Sequence, residues 1–173
     1  MSTLARYVRD IPDFPKPGIV FKDITPLLAD AEAFRETVRQ LADGYAGRVD
    51  VVLGIESRGF IVGAAVAHAL GTGLALVRKP GKLPSQTYRA HYELEYGTDT
   101  LEIHHDALGH GSRVLLLDDL LATGGTAAAA VELVRRCGGH IVACAFVIEL
   151  AFLNGRRRLD GAEVRSLIRY DHV

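Results

Sequence analysis

The chain has 173 residues, 49% of them hydrophobic and 24% charged, with a formal net charge of −1. That length fits one domain with a sizeable core, and the near-neutral balance excludes bulk attraction to nucleic acid or to a membrane surface. Cys137 and Cys144 form neither a zinc spacing nor a disulfide framework, so both are expected as buried thiols in a reducing compartment, the cytoplasm.

In chain order, the opening MSTLARYVRD lacks the apolar stretch of a signal peptide, and Leu4 to Val8 is expected as a short helix. Asp13 to Gly18 reads as a proline-rich loop, which Phe21 to Pro26 continues. Asp30 is placed as the N-cap of a helix whose Phe34, Val38 and Leu41 share a face, ending near Gly44 or Gly47. Val51 to Ile55 reads as a buried strand. Phe60 to Leu70, rich in alanine and glycine, suits a helix packed close against a sheet, with Gly71 ending it, and Leu74 to Val77 is the next strand. Lys79 to Ala90 is polar and broken by Pro80, Gly81 and Pro84, which fits a mobile loop able to act as a lid. Tyr92, Leu94 and Tyr96 alternate with Glu93 and Glu95, and Leu101 and Ile103 alternate with Glu102 and His104. Those runs predict an antiparallel hairpin turning at Gly97-Thr98-Asp99. His104 and His105, as neighbours on a strand, face opposite ways and do not chelate one ion together. Ile141 to Leu150 is an apolar strand interrupted by Glu149, and even extended to Leu153 it is too short to span a bilayer. Arg156-Arg157-Arg158 reads as a solvated charge run, and Val164 to Ile168 as an edge strand. The alternation of strands and helices gives an α/β class with a mainly parallel sheet flanked by helices.

The stretch with chemistry in it is RVLLLDDLLATGGT, Arg113 to Thr126. Val114 to Leu117 is a short continuous apolar run, the pattern of a strand buried on both faces. Asp118 and Asp119 follow, then a small-residue turn, Ala122-Thr123-Gly124-Gly125-Thr126. Ala127, Ala130, Val131 and Val134 then mark one face of a helix. Such a turn aims backbone N–H groups at one point, the helix dipole adds positive potential there, and a phosphate fits. Acids beside it repel phosphate, so they are expected to face sugar hydroxyls or a hydrated divalent metal. A sugar phosphate satisfies both halves. Neither a P-loop GxxxxGK[ST] nor a dinucleotide GxGxxG is present.

LLLDDLLATGGT resembles the phosphoribosyl-pyrophosphate (PRPP) motif of the type I phosphoribosyltransferases, in the form used by the adenine-specific branch. DFPKPGIVFKDITPLL (Asp13 to Leu28), GIESRGF (Gly54 to Phe60), RKPGKLP (Arg78 to Pro84) and YELEYGTDTLEIHHDAL (Tyr92 to Leu108) resemble further motifs of that family, in its order. The resemblance implies a type I phosphoribosyltransferase-like fold over residues 1–173. It also implies a small hood built from about residues 1–30 and 150–173, and a homodimer. The implied reaction joins adenine to the ribose 5-phosphate of PRPP with Mg2+, releasing AMP and pyrophosphate.

By the same resemblance, Asp118, Asp119, Ala122, Thr123, Gly124, Gly125 and Thr126 take PRPP or AMP; no direct protein ligand of the metal is assigned, and Asp118 and Asp119 are candidates to meet it through water. Glu56, Ser57, Arg58, Gly59, Arg78, Lys79 and Lys82 take pyrophosphate, with a cis peptide expected at or beside Glu56-Ser57. Glu95, Arg58 and Lys82 serve catalysis. Glu95 handles the proton of the incoming base, although the strand pattern alone does not separate it from Glu93. Val20, Phe21, Lys22 and Leu153 hold adenine, with Lys22 standing where many members have arginine. The rival readings are transfer to another purine base, such as a 6-oxopurine, and a non-catalytic PRPP-sensing regulator.

Overall fold

A computed structural model describes residues 3–94, 97–159 and 161–172. A 3-10 turn at Thr3–Tyr7 is followed by β1 (Arg9–Pro12), which pairs antiparallel with β2 (Val20–Asp23). A short helix α1 (Thr25–Ala29) comes next. Strand β2 and α1 replace the loop expected through Phe21 to Pro26. A four-residue strand carries too few positions to show a period, and its partner lies across an intervening loop. Helix α2 (Ala31–Ala42) starts where expected, because the Asp30 carboxylate accepts the Ala33 N–H at 2.8 Å.

The main sheet takes β3 (Val51–Ile55), β4 (Gly73–Val77), β7 (Arg113–Leu121), β8 (His140–Leu150) and β9 (Glu163–Tyr170), all parallel, in the order β4-β3-β7-β8-β9. Helix α3 (Arg58–Leu70) links β3 to β4, and α4 (Gly125–Arg136) links β7 to β8. Between β4 and β7 stands a separate antiparallel hairpin, β5 (Thr87–Leu94) with β6 (Gly97–His104).

Strand β7 lies at the middle of the sheet, and the alternation of its side chains divides the interior in two. Val114 and Leu116 join Leu53, Ile55, the buried face of α4 and the hairpin residues Leu101 and Ile103. Leu115 and Leu117 join Val52, Val62 and Val66 of α3, and Leu41 of α2. Both faces of a parallel strand are covered, which is why its sequence is a continuous apolar run and not an alternating one.

The chain leaves β3 toward one edge of the sheet and leaves β7 toward the other. A crevice therefore opens between the carboxyl ends of these two neighbours, the switch point at which open α/β sheets take ligands.

Four expectations need correction. The acidic pair does not follow the strand but belongs to it, since β7 runs on to Leu121. Gly97, Thr98 and Asp99 are not the hairpin turn; they are β6 residues opposite Leu94, Glu93 and Tyr92, and the connection Glu95-Tyr96 lies outside the described residues. Thr87 to Ala90 belong to β5, so the loop is only residues 79–86. It is tied to β6 by the Gly81 N–H to Glu102 Oε2 at 3.1 Å and the Ser85 N–H to His104 Nε2 at 3.3 Å. Cys144 is buried, and burial pushes its thiol up to about 12, but Cys137, at the end of α4, is only half-buried.

Candidate active site

A cleft of about 330 Å³ opens at the switch point. Three segments wall it: Glu56-Ser57-Arg58 after β3, the β7 end and turn from Asp118 to Gly124 with Thr126 and Ala127, and Lys79 with Tyr92 and Leu101 from the loop and hairpin.

The β7 side carries the acids. The Asp119 carboxylate pairs with the Arg58 guanidinium, so the α3 start is fastened to the strand end. Asp118 is buried to the same degree and accepts the Asp119 N–H at 2.9 Å. Burial, reinforced by the Asp119 carboxylate beside it, pushes the Asp118 carboxyl well above the ordinary range. Only glycine fits opposite it, because a Cβ on Gly59 would stand 2.8 Å from Asp118 Oδ1 and 2.9 Å from the Leu117 carbonyl oxygen. Gly59 thus lets α3 approach the acids closely enough for Arg58 to reach Asp119.

Beyond Leu121 the chain turns through Ala122-Thr123-Gly124 into α4. Gly124 takes a left-handed φ of +83° and caps the helix with no side-chain bond, leaving the first N–H groups of α4 facing the cleft end. Thr123 is exposed and Thr126 half-buried on the same rim.

The basic side is braced by carboxylates. Glu56 and Ser57 are joined by a cis peptide, as expected. The Glu56 carboxylate accepts the Lys79 N–H at 2.9 Å and two bonds from Arg78 at 3.2 and 3.3 Å. Its burial alone would raise its pKa, but these donors win and hold it below the usual carboxylate range. The Lys79 ammonium pairs with Asp99 and reaches the Tyr92 hydroxyl at 3.3 Å. Arg78 also donates to the Lys82 carbonyl at 3.3 Å, while the Lys82 side chain is exposed.

Of the residues singled out in the sequence, ten line the cleft: Glu56, Ser57, Arg58, Lys79, Asp118, Asp119, Ala122, Thr123, Gly124 and Thr126. Gly59, Arg78, Lys82 and Gly125 are not on its walls. Phe21 reaches its rim, with the Arg58 guanidinium 5.3 Å from the ring centre, and Val20 precedes it in β2. The Lys22 side chain is committed elsewhere: its ammonium meets Asp10 at 2.8 Å and sits 4.3 Å from the Tyr170 ring centre. Leu153 is 40% exposed in the 3-10 turn Ala151–Leu153. Glu95 lies outside the described residues.

Several participants were not singled out. Gly155 presses its backbone against the 122–124 turn, and Arg156 is not a solvated charge: it binds Glu149 at 2.6 and 2.7 Å. The signal was Glu149, a charge inside an apolar strand, which requires a partner. Glu102 is buried between the hairpin and the loop, where it pairs with Arg89 at 2.6 Å. Its place in an alternating strand pointed to solvent. His104 and His105 are separately engaged, the former with Ser85 and the latter against the Tyr88 ring at 4.0 Å.

An acid pair and a glycine turn at the end of the central strand face an arginine turn on its neighbour across one cleft. The family model for the phosphoribosyl transferase domain matches residues 22–167, and the chain belongs to that family. It is 60% identical over 171 residues to the adenine phosphoribosyltransferase of Syntrophotalea carbinolica, a match covering 98% of this chain and all of the relative. The crystal structure of adenine phosphoribosyltransferase from Thermoanaerobacter pseudethanolicus superposes with a TM-score of 0.94 at 52% identity, covering 96% of this chain and 98% of that one. The Saccharomyces cerevisiae enzyme, complexed with adenine and an imino-altritol bisphosphate, gives 0.90 at 40% identity, covering 95% and 96%.

Proposed function

We propose that this chain transfers ribose 5-phosphate from PRPP to N9 of adenine, forming AMP and pyrophosphate in purine salvage. The bond from the sugar anomeric carbon to the pyrophosphate oxygen breaks and a bond to N9 forms. Positive charge develops on the sugar as negative charge leaves on pyrophosphate. The observation that carries this reading is the junction at the switch point, where one cleft holds Asp118, Asp119, the 122–126 turn and Arg58. The turn takes the 5′-phosphate, the acids face the ribose hydroxyls, and Arg58, Lys79 and the amides around Ser57 face pyrophosphate. Arg78 and Lys82 add positive charge from the loop, and Gly59 and Gly125 give the backbone its close approach. Closure of residues 79–86 excludes water from the sugar cation.

Two carboxylates at one rim, Asp118 and Asp119, suit a hydrated magnesium carried in by PRPP and held through its waters. When bound, magnesium offsets charge on the pyrophosphate.

Adenine enters between Phe21 and Leu153, with Val20 and Lys22 contributing main-chain groups, under a hood of about residues 1–30 and 150–173. The Lys22–Tyr170 contact ties the two hood segments together. The chain acts as one domain, in the cytoplasm, as a homodimer. Ile61 of α3 with Leu74 and Leu76 of β4 offers an exposed apolar face for a second copy. No helix among the described residues is long and apolar enough to cross a membrane.

The test is to incubate the protein with PRPP, magnesium and each purine in turn and to identify the nucleotide. AMP should dominate; preferential turnover of hypoxanthine or guanine would move the base assignment, and tight PRPP binding without turnover would favour the regulator. By the resemblance, Glu95 is assigned the proton of the base. Glu95→Gln should lower kcat about 100-fold while changing substrate KM values far less. If Glu93→Gln produces that loss instead, the proton belongs to the neighbouring carboxylate.

A further inference from the structure

The phosphate turn does not hold its own shape. A Cβ on Gly155 would stand 2.2 Å from the Ala122 carbonyl oxygen and 3.0 Å from the Gly124 nitrogen, so the two backbones are in contact. Gly155 is buried, opens the 3-10 segment Gly155–Leu159, and is followed by Arg156. The Arg156 guanidinium spends four donors on this end of the sheet. Two go to Glu149 of β8, at 2.6 and 2.7 Å. One goes to the Val164 carbonyl at 2.8 Å and one to Ser166 Oγ at 3.1 Å, both in β9. Ser166 in turn donates to Glu149 Oε2 at 2.5 Å. Glu149 pairs in register with Leu121, the residue that leads directly into the turn. Burial would raise the Glu149 carboxyl, yet the Arg156 and Ser166 donors hold it below the usual range, so the clamp is ionic.

We infer that Arg156, locked by Glu149 and Ser166, is a positioning residue that holds Gly155 as a backstop behind the 122–124 turn and so sets the phosphate affinity of the site. This rests on the reading that the turn takes the sugar 5′-phosphate. The clamp touches no substrate. It fixes two strands and the turn as one unit, so the N–H groups of the turn converge without reorganising when the phosphate arrives. Lysine keeps the charge but not the planar fork, so it satisfies Glu149 without also spanning Val164 and Ser166.

The test uses ribose 5-phosphate and inorganic pyrophosphate as separate probes on the full chain. Arg156→Lys should weaken ribose 5-phosphate about tenfold, the lower end of what outer partners of ligand-holding groups contribute. Pyrophosphate affinity should stay within about twofold, and KM for PRPP should rise more than kcat falls. Ser166→Ala removes one strut and should give a smaller loss in the same direction. It also serves if the lysine variant does not fold. A folded variant with wild-type ribose 5-phosphate affinity overturns the clamp. Amide resonances distinguish this from failure of the site reading: if ribose 5-phosphate leaves residues 122–126 of the wild-type chain unshifted, the phosphate assignment itself falls.

Discussion

Replacing Asp118 and Asp119 together with asparagine is expected to remove PRPP binding, by at least about 100-fold, while leaving pyrophosphate bound. The estimate takes two charge-assisted bonds to sugar hydroxyls at about 1.5–3 kcal/mol each, with about 1.4 kcal/mol per tenfold. The two acids are not equivalent. Asp119 pairs with the Arg58 guanidinium, whereas burial and the neighbouring Asp119 push the Asp118 carboxyl upward. Asparagine at 119 also removes the partner of Arg58, which asparagine at 118 leaves in place, so the 119 single variant should be the weaker binder. Freed from Asp119, Arg58 has its whole fork for an anion, and pyrophosphate affinity should hold or rise. Calorimetric titration with PRPP and with pyrophosphate separates these outcomes. Unchanged PRPP affinity in the double variant would end the sugar role of the pair.

The sheet and its two flanking cores were legible because parallel strands buried on both faces announce themselves as apolar runs. Val51–Ile55 and Val114–Leu117 both did so, and each was followed by turn residues and a helical period. The candidate cleft was legible for a related reason. Its groups sit in the short segments just after those runs, so sequence order and spatial order coincide there. What escaped notice depends on partners distant in sequence. Strand β2 exists because β1 lies beside it, and Glu102 is buried because the 79–86 loop folds over a face that alternation assigned to solvent. Arg156 was hidden for the opposite reason: two further arginines beside it, both exposed, made all three look like one charge run. Gly155 carried no local signal at all, since its need for a bare Cα comes from the carbonyl of Ala122, more than thirty positions earlier.

Gly124→Ala should cost both stability and PRPP binding, and a second glycine separates the two effects. Gly124 sits at φ +83°, where a side chain costs about 1–2 kcal/mol, and its Cβ would lie 2.3 Å from the Gly155 carbonyl oxygen. The obstacle is backbone held by the Arg156 clamp and cannot swing aside as a flexible side chain would. The turn must open, and its N–H groups then no longer converge on one phosphate. Gly71 ends α3 with a comparable φ of +67° and nothing within 4 Å of its Cβ. Gly71→Ala therefore carries the conformational cost alone, roughly 2–8 °C in Tm at about 2–4 °C per kcal/mol, with PRPP binding unchanged. Gly124→Ala should fall at least as far in Tm and lose PRPP affinity by about 100-fold or more, equivalent to about 2.7 kcal/mol. Both variants are read by thermal melting and by PRPP titration below their midpoints. Equal PRPP affinity in the two would mean that the close packing of Gly124 on Gly155 shapes the fold but not the phosphate site.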